Sequence, residues 1–145
     1  MHIYAFYDAE DSQSWRQEPN FSQFGYDLTP YTETTISFSD LSSTIYLNTF
    51  LLEFVIEVDL VLRRRCGQNF FEAHAALQYS GNSVLFKRNG DLLEVQISGL
   101  DEKINYSWKD FLRCFKELKQ VGYQQLRGYY PNISKFAEIE FIFKS

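Results

Sequence analysis

The sequence predicts an α+β domain: an antiparallel sheet of about five to six strands packed in two layers on two helices, 43–66 and 107–121. Three observations predict it. Several short runs alternate apolar and polar residues, as strands with one solvated face do. Two longer runs repeat apolar residues at i, i+3 and i+4, as amphipathic helices do. An Asn89–Gly90 pair separates two alternating runs, where it would supply the positive φ values of a type I′ hairpin turn. At 145 residues, 45% hydrophobic and 18% aromatic, the chain can bury one real core and is no disordered segment, so one domain over 1–145 is expected.

In chain order, His2, Tyr4 and Phe6 alternate with Ile3, Ala5 and Tyr7, giving a strand. Residues 8–33 read as a long irregular connection, broken by Pro19, Gly25 and Pro30 but carrying Trp15, Phe21, Phe24, Tyr26 and Tyr31. Thr34–Ser39 alternates cleanly and is a half-buried strand. The large helix follows, with Leu47, Phe50, Leu51, Phe54, Val55, Val58 and Leu62 on one face. Ser42 or Ser43 can cap its start; Arg63, Arg64 and Arg65 suit its negative end, and Gly67 the left-handed position beyond. Glu53, Glu57 and Asp59 make this run a poor membrane span, since each charge costs about 2.5 kcal/mol or more at the bilayer centre.

Beyond Gly67, residues 71–79 form a strand, Ser80–Asn82 a turn, and 83–88 with 91–98 a hairpin. Val84, Phe86, Leu93, Val95 and Ile97 face inward there. Gly99–Tyr106 reads as a polar connection. Ser107 and Asp110 open the second helix in the manner of a capping box; Phe111, Leu112, Phe115 and Leu118 form its apolar face, and Gly122 ends it. Lys109, Arg113, Lys116 and Lys119 are placed mostly on its solvated side. Ala137, Ile139, Phe141 and Phe143 alternate with polar positions and predict a last strand.

No motif for catalysis or cofactor binding is found. Neither G-x-x-x-x-G-K-[ST], G-x-G-x-x-G nor G-x-S-x-G occurs, and no cofactor is expected. Cys66, Cys114, His2 and His74 have no zinc spacing, so no metal is expected. The two cysteines read as free thiols of a reducing compartment rather than as a disulfide. His74 falls on the polar face of its strand beside Glu72, where a solvated histidine outweighs a general base. Glu138 with Glu140, and Asp8 with Glu10 and Asp11, read as surface acids rather than acid/base pairs. The opening MHIYAFYDAE has no basic stretch followed by an apolar one, so no signal peptide and a cytoplasmic location are expected.

Charge is the most informative compositional feature. The net charge is −5, and residues 1–33 hold Asp8, Glu10, Asp11, Glu18, Asp27 and Glu33 against Arg16 alone. The remaining residues 34–145 are balanced. Basic runs are confined to Arg63–Arg65 and Lys87–Arg88, which disfavours nucleic-acid binding. Acids interspersed with aromatics give a surface with anchors and steering for a basic protein partner. Asp8, Glu10, Asp11, Trp15, Tyr26 and Asp27 are the candidate contacts.

The chain also resembles small bacterial immunity proteins of polymorphic or contact-dependent toxin systems. The resemblance lies in the short acidic chain, the helix around Leu51–Leu52–Glu53–Phe54, the run Phe71–Ser98 and the opening Tyr106–Ser107–Trp108–Lys109–Asp110–Phe111, over about residues 40–125. It implies a cytosolic, non-enzymatic inhibitor that covers a cognate toxin or nuclease, and it carries over no binding residues. Phage anti-defence proteins share these bulk features. Two other classes stay open: a small-molecule-binding or enzymatic domain with a pocket between sheet and helices near Glu72 and His74, and a subunit of a larger complex that uses its open sheet face or the segment Ile139–Phe143 as an edge.

Overall fold

The fold is α+β. It is described in a computed structural model covering residues 2–6, 29–30 and 32–145, the first five as backbone. Among these residues the strands form two antiparallel sheets rather than one. The first has the order β1 (His2–Phe6), β2 (Glu33–Ser39), β3 (Thr44–Phe50). The second is a meander of β4 (Phe70–Leu77), β5 (Asn82–Asn89), β6 (Leu92–Ile97) and β7 (Lys103–Ser107). Three helices complete the fold: α1 (Leu51–Arg64), α2 (Trp108–Tyr129) and α3 (Ala137–Lys144), with a 3-10 turn at Pro131–Lys135 before α3.

The first third of the expected helix 43–66 is strand β3. Ile45, Leu47 and Thr49 are buried while Thr44, Tyr46 and Asn48 are exposed, a period of two. Pairing with β2 (Ile36 with Leu47, Phe38 with Ile45) decides between the periods. Ser42 and Ser43 therefore cap no helix. They close the β2–β3 turn, where the Asp40 carboxylate accepts both their amides at 2.8 and 2.9 Å. Helix α1 begins at Leu51, and its cap comes from elsewhere: Thr32 accepts the Leu51 amide on its carbonyl and the Leu52 amide on its hydroxyl. Gly67 takes the left-handed backbone expected of it, with φ 80°.

Three further boundaries differ from expectation. Lys103–Ser107 is strand β7, because Ile104 and Tyr106 are buried between exposed Lys103 and Asn105. The second helix begins as expected, with the Ser107 hydroxyl accepting the Asp110 amide, but runs past Gly122 to Tyr129. Gly122, Tyr123 and Leu126 are buried and continue its apolar stripe. The expected strand 137–144 is helix α3, burying Ile139 and Phe143 four residues apart and leaving Phe141 64% exposed. It offers no sheet edge, and Glu138 and Glu140 share no strand face. The β5–β6 turn is centred on Gly90–Asp91; only Gly90 has positive φ (62°), which fits a II′ rather than a I′ turn.

One core joins the elements from β2 to α3. Ile36, Phe38 and Leu47 from the first sheet meet Val84, Phe86 and Val95 from the second through the apolar faces of α1 and α2. Phe54 of α1 lies edge-on to Phe38 at 5.9 Å and to Phe115 at 6.3 Å, so one ring links the first sheet to both long helices. Cys114 is buried and Cys66 exposed, and both are free thiols. No described helix is long and apolar enough to cross a membrane.

Candidate protein-binding surface

The candidate contacts Asp8, Glu10, Asp11, Trp15, Tyr26 and Asp27 lie outside the described residues. The attachment points of their segment are described. Strands β1 and β2 are antiparallel neighbours, with Phe6 opposite Thr35 and His2 opposite Ser39. The chain therefore leaves β1 and returns to β2 at the same end of the first sheet. This is the end where β3 passes into α1, since Glu33 lies opposite Phe50.

The returning limb is fixed there by hydrogen bonds. Thr29 and Thr32 are buried, and the Thr32 hydroxyl donates to the Thr29 carbonyl at 2.9 Å while accepting from Leu52. The acidic segment is thus tethered at both ends beside the N-terminus of α1. Among the described residues, Glu33 and Glu53 bring acids to this end. Glu33 is exposed, and Glu53 lies in the first turn of α1. The Glu53 carboxylate accepts the Tyr79 amide. Burial pushes its pKa up, the Tyr79 amide opposes that, and the nearby Glu57 adds to it.

The opposite end of α1 is basic. Asp59 anchors a cluster there, pairing with Arg63 Nε at 2.8 Å and Lys119 Nζ at 3.7 Å. Lys119 is buried, contrary to its expected solvated placement, and donates to the Ser145 carbonyl at 2.8 Å. Arg63 donates to the Ser145 hydroxyl at 3.0 Å. Lys119 lies four residues from both Phe115 and Tyr123, on the buried stripe of α2; that spacing was the sequence signal for its burial.

The alternative site around Glu72 and His74 is an open sheet face. Both side chains are exposed, with Glu72 opposite Lys87 and His74 opposite Leu85. The nearby depression, about 610 Å³, is lined by Phe70, Glu72, Lys87, Asn89, Leu92 and Glu94. Of its apolar members, Phe71 is buried while Phe70 and Leu92 are 70% and 52% exposed, and Glu94 pairs with Lys103 at 3.5 Å. Behind it, the Arg88 guanidinium stacks on Trp108 at 3.9 Å. Among the described residues no three His, Cys, Asp or Glu side chains converge as metal ligands would. Comparison with protein families, with curated proteins and with solved structures finds no match to this chain.

Proposed function

We infer that this chain is a non-catalytic protein-binding inhibitor of the immunity type, which neutralises a basic partner such as a toxin or nuclease by covering its active surface. One observation carries the reading. The whole acidic surplus of the chain lies in residues 1–33, and the segment bearing it is tethered at both ends to one end of the fold. A segment joined to the fold at both ends loses less freedom on binding than a free tail, and like charges concentrated in it steer a basic surface. Glu33 and Glu53 extend the same field onto the folded body. The solvated face around Glu72 and His74 favours this reading over a pocket enzyme, because convergent polar groups there are open to water.

The exposed Phe70 and Leu92 on that face favour a second reading, in which the open sheet docks the chain into a larger complex. Affinity capture from the native host with mass spectrometry, followed by assay of the captured protein, separates the two. The inhibitor reading expects a basic partner whose activity falls on stoichiometric addition of this chain. An uncharged or acidic partner held through Phe70 and Leu92 would overturn it.

A further inference from the structure

We propose that the groove across α1, α2 and α3 is a second binding site, which takes an acidic amphipathic peptide segment of a partner protein. It lies at the basic end of α1, away from the points where the acidic segment joins the fold. Two clefts of about 570 and 460 Å³ adjoin there and share Lys116, Lys119 and Ser145. The apolar lining is Leu62, Leu112 and Phe115 in one cleft, Tyr123 and Phe143 in the other. The charged lining is mostly cationic. Arg63 and Lys116 line the first cleft with Asp59, and Lys116, Arg127 and Lys144 line the second.

Several of these cations are partly engaged. Lys144 pairs with Glu140 at 2.6 Å and lies 5.6 Å from the Tyr123 ring, while Arg63 and Lys119 share Asp59. Arg127 lies 5.9 Å from the Tyr123 ring and feels the Glu140 carboxylate without forming an ion pair with it among the described residues. Lys116 is exposed and makes no ion pair within the described residues. Lys116 and Arg127 are therefore the cations with charge to offer a ligand.

Charge complementarity calls for an anionic occupant, and the apolar lining calls for side chains that pack against it. A peptide with carboxylates beside aliphatic or aromatic residues meets both demands. A nucleic-acid backbone meets only the first. It needs several unpaired cations along its track, whereas Asp59 and Glu140 here neutralise part of the cationic lining.

The test is selection of a phage-displayed random peptide library on the full chain, with fluorescence anisotropy of the selected peptides. The expected winners are rich in Asp and Glu next to Leu, Phe or Trp. Their affinity should fall about tenfold or more in Lys116→Glu/Arg127→Glu, less in Lys116→Ala, and remain unchanged in Lys109→Glu. Both reversed positions are exposed, and an unchanged melting curve checks that the variants fold. Winners without acidic residues, or affinity unchanged by the double reversal, would overturn the proposal. So would equal binding of a single-stranded oligonucleotide, or concentration-dependent self-association that the double reversal abolishes, since these assign the groove to nucleic acid or to a second copy. Capture of the basic partner through residues 1–33 should persist in the double-reversal variant, so failure of one site is distinguishable from failure of the other.

Discussion

Asp40 shows how much one side chain can organise. It accepts the Ser42 and Ser43 amides within its own turn and the Asn105 amide of β7 at 3.0 Å, tying the first sheet to the edge of the second. The Asn105 amide is the main reason its carboxyl falls to about 2; burial opposes the shift, and the turn amides add to it. A depressed folded-state pKa places this stabilisation above the ordinary carboxylate range. It is complete above about pH 4 and lost as pH falls through about 2. Asp40→Asn should cost about 1–2 kcal/mol at pH 7, and the difference should close toward pH 2, as read by urea denaturation across pH. Tyr106 makes the opposite case. It is fully buried, and its hydroxyl has no hydrogen-bond partner among the described residues. Burial drives the phenol pKa far up, and the Ser39 backbone facing it opposes that shift. Tyr106→Phe should therefore be neutral or stabilising, within about 1 kcal/mol, whereas Phe111→Ala beside it should cost about 3–5 kcal/mol. A loss above about 2 kcal/mol for Tyr106→Phe in equilibrium unfolding would show that its hydroxyl is satisfied after all.

At the scale of elements, the start of α1 depends on a residue far away in sequence. Phe50 offers no side-chain cap, and Thr32 supplies the acceptors. Thr32→Ala should destabilise the fold by about 0.5–2 kcal/mol and raise amide exchange at Leu52 before it does so at Val58. Uniform exchange across α1 would contradict that role. The same junction marks where sequence patterns stop being sufficient. Leu47, Phe50, Leu51 and Phe54 satisfy a helical period, yet Ile45, Leu47 and Thr49 also satisfy a strand period, and only the pairing with β2 breaks the tie. The segment 137–144 poses the converse ambiguity: Ile139 and Phe143 fit both periods, and packing of Phe143 against Tyr123 at 5.8 Å favours the helix. Strand β7 was hidden because Ile104 and Tyr106 are its only buried residues. The β2 strand, the β4–β5–β6 meander and the Ser107 cap were legible because local pattern and tertiary pairing agree there.

At the scale of the molecule, charge is sorted along α1. Glu33, Glu53 and the attachment points of the acidic segment stand at its N-terminal end; Arg63, Arg64 and the Lys116–Lys119 cluster stand at the other, about 21 Å away for 14 residues. The acidic half of this arrangement was legible as a charge count. The basic groove was not, because it exists only where α1, α2 and α3 meet. The central claim is that the tethered acidic segment binds a basic partner. Its most direct test is the affinity of the captured partner for a charge-reversal series, Asp8→Lys, Glu10→Lys, Asp11→Lys and Asp27→Lys, measured across salt concentration. The account predicts that affinity falls with each reversal, by about tenfold or more for the full series, and that the salt dependence flattens in step. Unchanged affinity with an unchanged salt dependence would contradict it.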